Sequence, residues 1–325
     1  MRAIRIENPG KEATLRVVEL ASPRCGPDEL RLAVAAFGVN RADLLQRRGL
    51  YPPPPGAPDV PGLECAGEVV EVGANVRGWK RGERAMALLA AGGYASEAVV
   101  HAGSALRVPE RLSLVHAAAI PEVFLTVHLC VFRLAVFPAG GVLLVQGGGS
   151  GVGTAAIQLA RAVGGRVLAT AGSDEKCARC RELGAEVAVN YRRESFLEAA
   201  LALTDGAGVD VALDLVGAPY LADHLRALRL GGRLVVISLL GGARAEIDLA
   251  LVLKRRLQVI GSTLRDRTLA EKQALVADFE ARFGAALASG AVRPIVDRVL
   301  PMAEIESAHA LMERGEHFGK IVLTT

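Results

Sequence analysis

The residues of this sequence best spaced to do chemistry are a glycine cluster with one serine inside it. They lie in VLLVQGGGSGVGTAA (142–156), where an apolar, β-branched run ends in glycines and a helix-forming run follows at once. Strand, tight glycine turn and helix form a unit that holds the pyrophosphate of a dinucleotide. Glycines let the backbone turn sharply and come close to the anion. The following helix aims free N–H groups and its positive dipole end at it. The spacing departs from the common G-x-G-x-x-G. It reads G-x-S-G-V-G, which makes Gly148, Ser150, Gly151, Val152 and Gly153 the candidate phosphate contacts.

The next strand bears on which dinucleotide. An NAD-specific fold places an acidic residue at the end of its second strand, where it holds the ribose 2′-hydroxyl. Here RVLAT runs into Ala171, Gly172 and Ser173, with Lys176 close behind. A missing carboxylate, a small hydroxyl and a cation suit the extra 2′-phosphate of NADPH (NADP). Ser173 or Asp174 also serves as the cap of the helix that starts there, which does not conflict with a phosphate contact.

A hydride delivered from such a cofactor needs a positioned acceptor and help for the charge that develops on it. In the stretch GVNRADLLQRRGLYPPPPG (38–56), a family resemblance rather than spacing makes Asn40, Asp43 and Tyr51 the candidate catalytic residues for that help. An asparagine amide donates without a pKa requirement. Tyr51 opens the proline run YPPPPG, and offers either a hydroxyl donor or a ring to stack on a flat substrate. Turn formation, capping or a place on the loop rim explains these residues equally well at this stage.

These residues need elements to position them. From Met1 to about Ala119, short alternating apolar runs punctuated by Gly and Pro suit a β-rich domain. Strands are predicted at 142–146, 166–170, 186–189, 209–214, 232–236 and 257–260. Helices at 152–163, 174–183, 194–203 and 219–229 lie between most of them, which is the pattern of a doubly wound parallel sheet. A helix over 269–288 and a final strand, GKIVLTT, follow. The domains are therefore read as 120–263 for the nucleotide-binding part, and 1–119 with 264–325 for the other.

The 325 residues are enough for two domains, and the formal net charge of +3 comes from interspersed charges. No basic stripe with interleaved aromatics points to nucleic acid. No uncharged apolar run reaches the ~18–20 residues of a membrane helix. Five cysteines in no framework pattern suit a reducing compartment, and the localisation is read as cytoplasmic. Cys177 and Cys180 have CxxC spacing without a second pair and are read as packing residues, as are Cys65 and Cys130. The six histidines form no triad or metal cluster.

Several longer stretches carry a resemblance: GVNRADLLQRRGLYPPPPG (38–56), VPGLECAGEVVEVG (60–73), AAAIPEVFLTV (117–127), GGGSGVGTAAIQLA (147–160), LGAEVAVNYR (183–192), DLVG (214–217) and GKIVL (319–323). In their order they resemble the medium-chain dehydrogenase/reductase superfamily, in its zinc-free NADPH:quinone oxidoreductase (zeta-crystallin-like) branch. The resemblance implies an α/β protein with a GroES-like β-rich catalytic domain, a Rossmann domain, and a homodimer. Zinc-dependent members hold their metal at positions corresponding to Asn40, Leu63 and Glu122, and asparagine with leucine cannot build that site. No metal is therefore expected.

The resemblance also implies cofactor contacts at Asn40, Thr126, Tyr191, Ser238, Leu239, Arg265 and Arg314. Surface charge explains Arg314 and Lys320 equally well. The implied activity is NADPH-dependent reduction of a small-molecule quinone or related enone. The alternatives are an enoyl reductase acting on α,β-unsaturated thioesters, or a non-enzymatic NADPH-binding or structural protein of the zeta-crystallin type.

Overall fold

The computed structural model describes all 325 residues. The first part of the chain is strand-rich: β1 (Arg2–Glu7), β2 (Thr14–Glu19), β3 (Glu29–Gly38), helix α1 (Arg41–Arg47), β4 (Glu64–Val72), β5 (Arg84–Leu88), β6 (Glu97–His101) and β7 (Ala105–Arg107). Two short helices close it, α2 (Leu114–Ala117) and α3 (Pro121–Val127). A seven-residue π-helix, His128–Leu134, leads on to regular alternation. This comprises β8 (Val142–Val145), α4 (Gly151–Ala162), β9 (Arg166–Ala171), α5 (Asp174–Glu182), β10 (Val187–Asn190), α6 (Phe196–Leu203), β11 (Val209–Asp214), α7 (Leu221–Ala227), β12 (Leu228–Val236), α8 (Leu249–Arg255) and β13 (Gln258–Gly261). The last segment carries α9 (Leu269–Ser289), β14 (Val296–Pro301), α10 (Ile305–Arg314) and β15 (Lys320–Thr324).

The chain divides into two compact units. Unit 1 is Met1–Leu125, Arg265–Gly290 and Pro294–Thr325; unit 2 is Thr126–Leu264 with Ala291–Arg293. The first crossing falls later than the expected position 119, because α3 begins in unit 1. There Phe124 meets Phe279 of α9 edge to face, with ring centroids 6.4 Å apart. Arg293 is tied to unit 2 by two bonds to the amide of Gln158, at 2.9 and 3.0 Å.

In unit 1, the main sheet runs β14-β15-β3-β4-β5-β7, with β6 also on β3, and β1-β2 form a separate hairpin. The C-terminal strand β15 lies antiparallel to β3, with Val322 opposite Gly38. That register brings Lys320 beside the start of α1. Phe37, Leu32, Tyr94, Leu30 and Ile321 are in the core of this unit.

In unit 2, six parallel strands run in the order β10-β9-β8-β11-β12-β13. The order reverses between β8 and β11, so the glycine turn after β8 lies at the point where such sheets take ligands. The central strands are apolar on both faces; Leu143, Leu144, Val145, Leu213 and Leu234 have no exposed surface. The expected helix over 219–229 stops at Ala227, and β12 begins at Leu228. The helices α1, α2 and α3, the π-helix, and α8, β14 and α10 arise where the sequence predicts no such element.

Candidate functional site

In unit 2 the glycine turn is built as its spacing implies. Gly147 takes a left-handed conformation (φ 68°) that favours glycine. Its N–H reaches Thr170 Oγ1 at 3.2 Å, and the Gly148 N–H reaches the Thr170 carbonyl at 2.7 Å, which ties the turn to β9. A Cβ on Gly148 would stand 2.8 Å from Cβ of Ala169, and one on Gly153 would press on the backbone of Gly147 and Gly148. Close packing of helix on turn thus demands both glycines. Ser150 is the N-cap of α4, its Oγ accepting the Gly153 N–H at 2.9 Å. The first N–H groups of α4, on Gly151 and Val152, have no partner within the helix and are the donors an anion would meet.

At the end of β9, Ser173 caps α5 by accepting the Lys176 N–H at 3.2 Å. Asp174 turns aside: it accepts from Asn190 Nδ2 at 2.7 Å and pairs with Arg193. A Cβ on Gly172 would meet the Tyr191 hydroxyl at 2.7 Å, so the half-exposed tyrosine lies directly over this glycine. Gly172, Ser173, Lys176 and Tyr191 are therefore brought to one end of the sheet. Thr126 is half-buried in the last turn of α3, and Ser238 and Leu239 follow β12.

Unit 1 contains a buried polar network at the start of α1. The Lys320 ammonium donates to the Val39 carbonyl and to Asn40 Oδ1, each at 2.6 Å, and pairs with Glu64 Oε1 at 2.7 Å. Asn40 Nδ2 donates to the same Glu64 oxygen at 2.9 Å, and Glu64 Oε2 accepts the Glu122 N–H at 2.9 Å. The ion pair is buried, and the other lone pairs and protons around it are used by neighbouring groups, the condition under which such a pair is tolerated. The two ends of the Asn40 amide are thus committed to protein partners, leaving it one spare N–H.

Asp43 adjoins this network. Its Oδ2 accepts from the Asn40 backbone N–H and from the Tyr94 hydroxyl, both at 2.8 Å. Tyr94 Oη in turn lies 3.2 Å from His309 Nε2. With the Tyr94 hydroxyl donating to Asp43, its oxygen accepts from His309 Nε2, which makes the imidazole the neutral Nε2–H tautomer. Burial pushes the Asp43 carboxyl up to about 6, against the pull of these hydrogen bonds and of Lys320. Burial pushes His309 down to about 3. Asp43 was a candidate catalytic group; at 1% exposure and enclosed by protein groups it does not reach a substrate, and it holds the α1 turn instead.

Glu122 is half-buried, and its carboxyl is pushed up to about 8, first by burial and then by the Glu64 carboxylate, against Lys320 and Lys272. Tyr51 lies near it. The Tyr51 hydroxyl donates to Asp266 Oδ2 at 3.3 Å, and burial with these two carboxylates raises its pKa well above the usual phenol value. Such a phenol stays neutral and is a weak acid.

One expected cofactor contact is corrected. Arg265 is 3% exposed, and its guanidinium is spent on the carbonyls of Ala90 and Tyr51 and on Gln46 Oε1. Arg314 ends α10 in an exposed ion pair with Glu316 at 2.8 Å. Glu64, Tyr94, His309, Gln46 and Asp266 were not anticipated. Glu64 was the legible one, a lone charge between apolar residues in GLECAG.

A unit built on a seven-stranded β-sheet, in one chain with a parallel sheet that carries a glycine turn at its switch point, defines a two-domain nucleotide-dependent oxidoreductase fold. Residues 151–280 match the family described as zinc-binding dehydrogenase, and residues 26–110 match the alcohol dehydrogenase GroES-like domain. The chain is 36% identical over 248 residues to quinone oxidoreductase-like protein 2 of Rattus norvegicus, covering 76% of this chain and 71% of that one. It superposes on the quinone oxidoreductase of Thermus thermophilus, a protein also solved in complex with NADPH, with a TM-score of 0.86, 36% identity and full coverage of both chains. An NAD-dependent alcohol dehydrogenase gives a TM-score of 0.87 at 32% identity, again over the whole of both chains. The chain belongs to the medium-chain dehydrogenase/reductase superfamily, in its quinone oxidoreductase branch.

Proposed function

We propose that this protein is a zinc-independent oxidoreductase that transfers reducing equivalents from NADPH to quinones or related conjugated carbonyls. The observation that carries the cofactor choice is the end of β9. Ala171, Gly172 and Ser173 offer no carboxylate there, and of the two acids that open α5, Asp174 is held by Asn190 and Arg193. The residues fit the cofactor. The N–H groups at Gly151 and Val152 would take the pyrophosphate, and Ser173, Lys176 and Tyr191 would take the 2′-phosphate. When bound, NADPH supplies a hydride.

A zinc ion is not fitted by the residues present. Leu63 has no donor atom, and Asn40 Oδ1 is taken by the Lys320 ammonium. The positive charge that balances Glu64 in this network is that ammonium. No group of three or more His, Cys, Asp or Glu side chains is placed to share a metal. A quinone accepts electrons readily and needs little polarisation, so a site without a Lewis acid suits it. On this reading, Tyr51 orients the acceptor, the spare Asn40 N–H contacts cofactor or substrate, and the Asn40–Glu64–Lys320 network keeps α1 and the loop after it in place.

We further propose that the protein pairs through the exposed edge of its parallel sheet as a homodimer. Its five free cysteines suit a reducing compartment such as the cytoplasm.

The test is titration with NADPH and with NADH, then nicotinamide oxidation with a panel of quinones and enoyl thioesters. NADPH is expected to bind more tightly. Lys176→Ala is expected to weaken NADPH binding about tenfold or more and to leave NADH nearly unchanged, since a charge-assisted phosphate contact is worth about 1.5–3 kcal/mol. Equal affinity for both cofactors in the unmutated protein refutes the cofactor choice. Turnover of enoyl thioesters alone replaces the quinone reading.

A further inference from the structure

We propose that Arg265 and Asp266 are positioning residues that fix Tyr51 as a one-sided stacking platform for a flat acceptor, an inference that rests on the quinone-reductase reading above. Tyr51 precedes four consecutive prolines, Pro52–Pro55, none of which has an N–H to donate. The loop therefore cannot anchor itself through ladder hydrogen bonds, and Tyr51 must be held from outside.

Arg265 does the holding. Its Nη1 donates to the Tyr51 carbonyl at 3.1 Å, while Nε grips the Ala90 carbonyl at 2.8 Å and Nη2 grips Gln46 Oε1 at 2.7 Å. One guanidinium thus ties the loop to α1 and to the segment after β5. Arg265 is itself fixed from α9, where Lys272 Nζ donates to its carbonyl at 2.6 Å. The same guanidinium lies over the Tyr51 ring, its central carbon 5.1 Å from the centroid. The neighbouring Asp266 accepts a hydrogen bond from the hydroxyl at 3.3 Å.

The consequences for the ring are specific. One face is covered by the guanidinium, so a flat substrate has the other. The hydroxyl is already committed as a hydrogen-bond donor to Asp266, so the contact offered is the ring and not an acid. A planar guanidinium fork serves here where an ammonium would not, because three acceptors in different directions and a ring face are met at once.

The test is kinetic, with NADPH and a quinone, on Arg265→Lys, Asp266→Asn, Tyr51→Phe, Tyr51→Ala and the doubles Arg265→Lys/Tyr51→Ala and Asp266→Asn/Tyr51→Phe. Arg265→Lys and Tyr51→Ala are each expected to raise the quinone KM about tenfold, the size of one lost aromatic contact. The NADPH Kd should be unchanged. The first double should be no worse than Tyr51→Ala alone, because Arg265 acts through the ring. Tyr51→Phe should keep kcat within about twofold, and Asp266→Asn should have no effect in the Tyr51→Phe background. If Arg265→Lys does not fold, Gln46→Ala loosens the same guanidinium and is read in the same way.

Additive penalties of Arg265→Lys and Tyr51→Ala overturn the proposal, as does a raised NADPH Kd with an unchanged quinone KM. A tenfold or larger loss of kcat in Tyr51→Phe overturns it too. Wild-type protein that oxidises no NADPH with any quinone removes the functional reading and this inference with it; active wild type with additive variants removes the inference alone.

Discussion

A carboxyl group that stays protonated near neutrality leaves its mark on folding as well as on chemistry. Glu122 sits beside the Glu64 carboxylate, with Lys320, Asp43 and Lys272 as the other charged neighbours, and is pushed from the ordinary 4.5 up to about 8. The folded state then holds this proton more tightly than the unfolded chain does. The stability it contributes is full below about 4.5 and is lost as pH rises through about 8. Glu122→Gln removes the titration. Its Tm should therefore fall less than that of the wild type between pH 5 and pH 9, read by thermal denaturation across that range. His309, pushed down to about 3, works in the opposite sense: its share is present above about 6.5 and is lost as pH falls, so the acid side of the two curves should coincide. Parallel curves on the alkaline side would show that Glu122 is not the group that titrates there.

At the scale of elements, the legible parts were those whose neighbours are close in sequence. The strand–glycine–helix unit at 142–162 is fixed by local packing, with Gly153 pressed against the backbone of its own turn. Gly153→Ala should cost about 1–3 kcal/mol, as overpacking does, and should weaken NADPH binding because the turn must open. Denaturant unfolding and a cofactor titration read the two effects. An unchanged midpoint would mean that the turn yields freely. The buried network in unit 1 was far less legible, because its members are remote in the chain. Lys320 and Asn40 are 280 positions apart and meet only through the register of β15 on β3. Asp43 reads in sequence as a free acid, and only the fold shows that Tyr94, 51 positions on, encloses it. Arg265 was misread for the same reason: its acceptors lie about 175 to 219 positions away. α10 was overlooked although Ile305, Ala308, His309 and Met312 recur at helical spacing, since the His and Glu among them masked the apolar face.

For the whole molecule, the informative feature is apolar surface where a closed fold should have little. β13 ends the order of the parallel sheet, so one row of its backbone N–H and C=O groups faces no strand of this chain. Around it Leu253 is 79% exposed, Leu249 67% and Val259 45%. An open edge with apolar side chains is a template for pairing, and no proline or inward charge blunts it over Gln258–Gly261. Two copies meeting edge to edge about a two-fold axis would cover the patch on both, because such an interface uses the same residues from each partner. The formal charge of +3 offers little repulsion against this association. Sedimentation velocity should therefore find a dimer for the wild type. Leu253→Asp, placed on an already exposed position of α8, should shift it to monomer with little loss of monomer stability, since the side chain makes few contacts within its own fold. A wild type that stays monomeric at tens of micromolar, or a Leu253→Asp variant that dimerises as well as the parent, would rule out this edge as the interface.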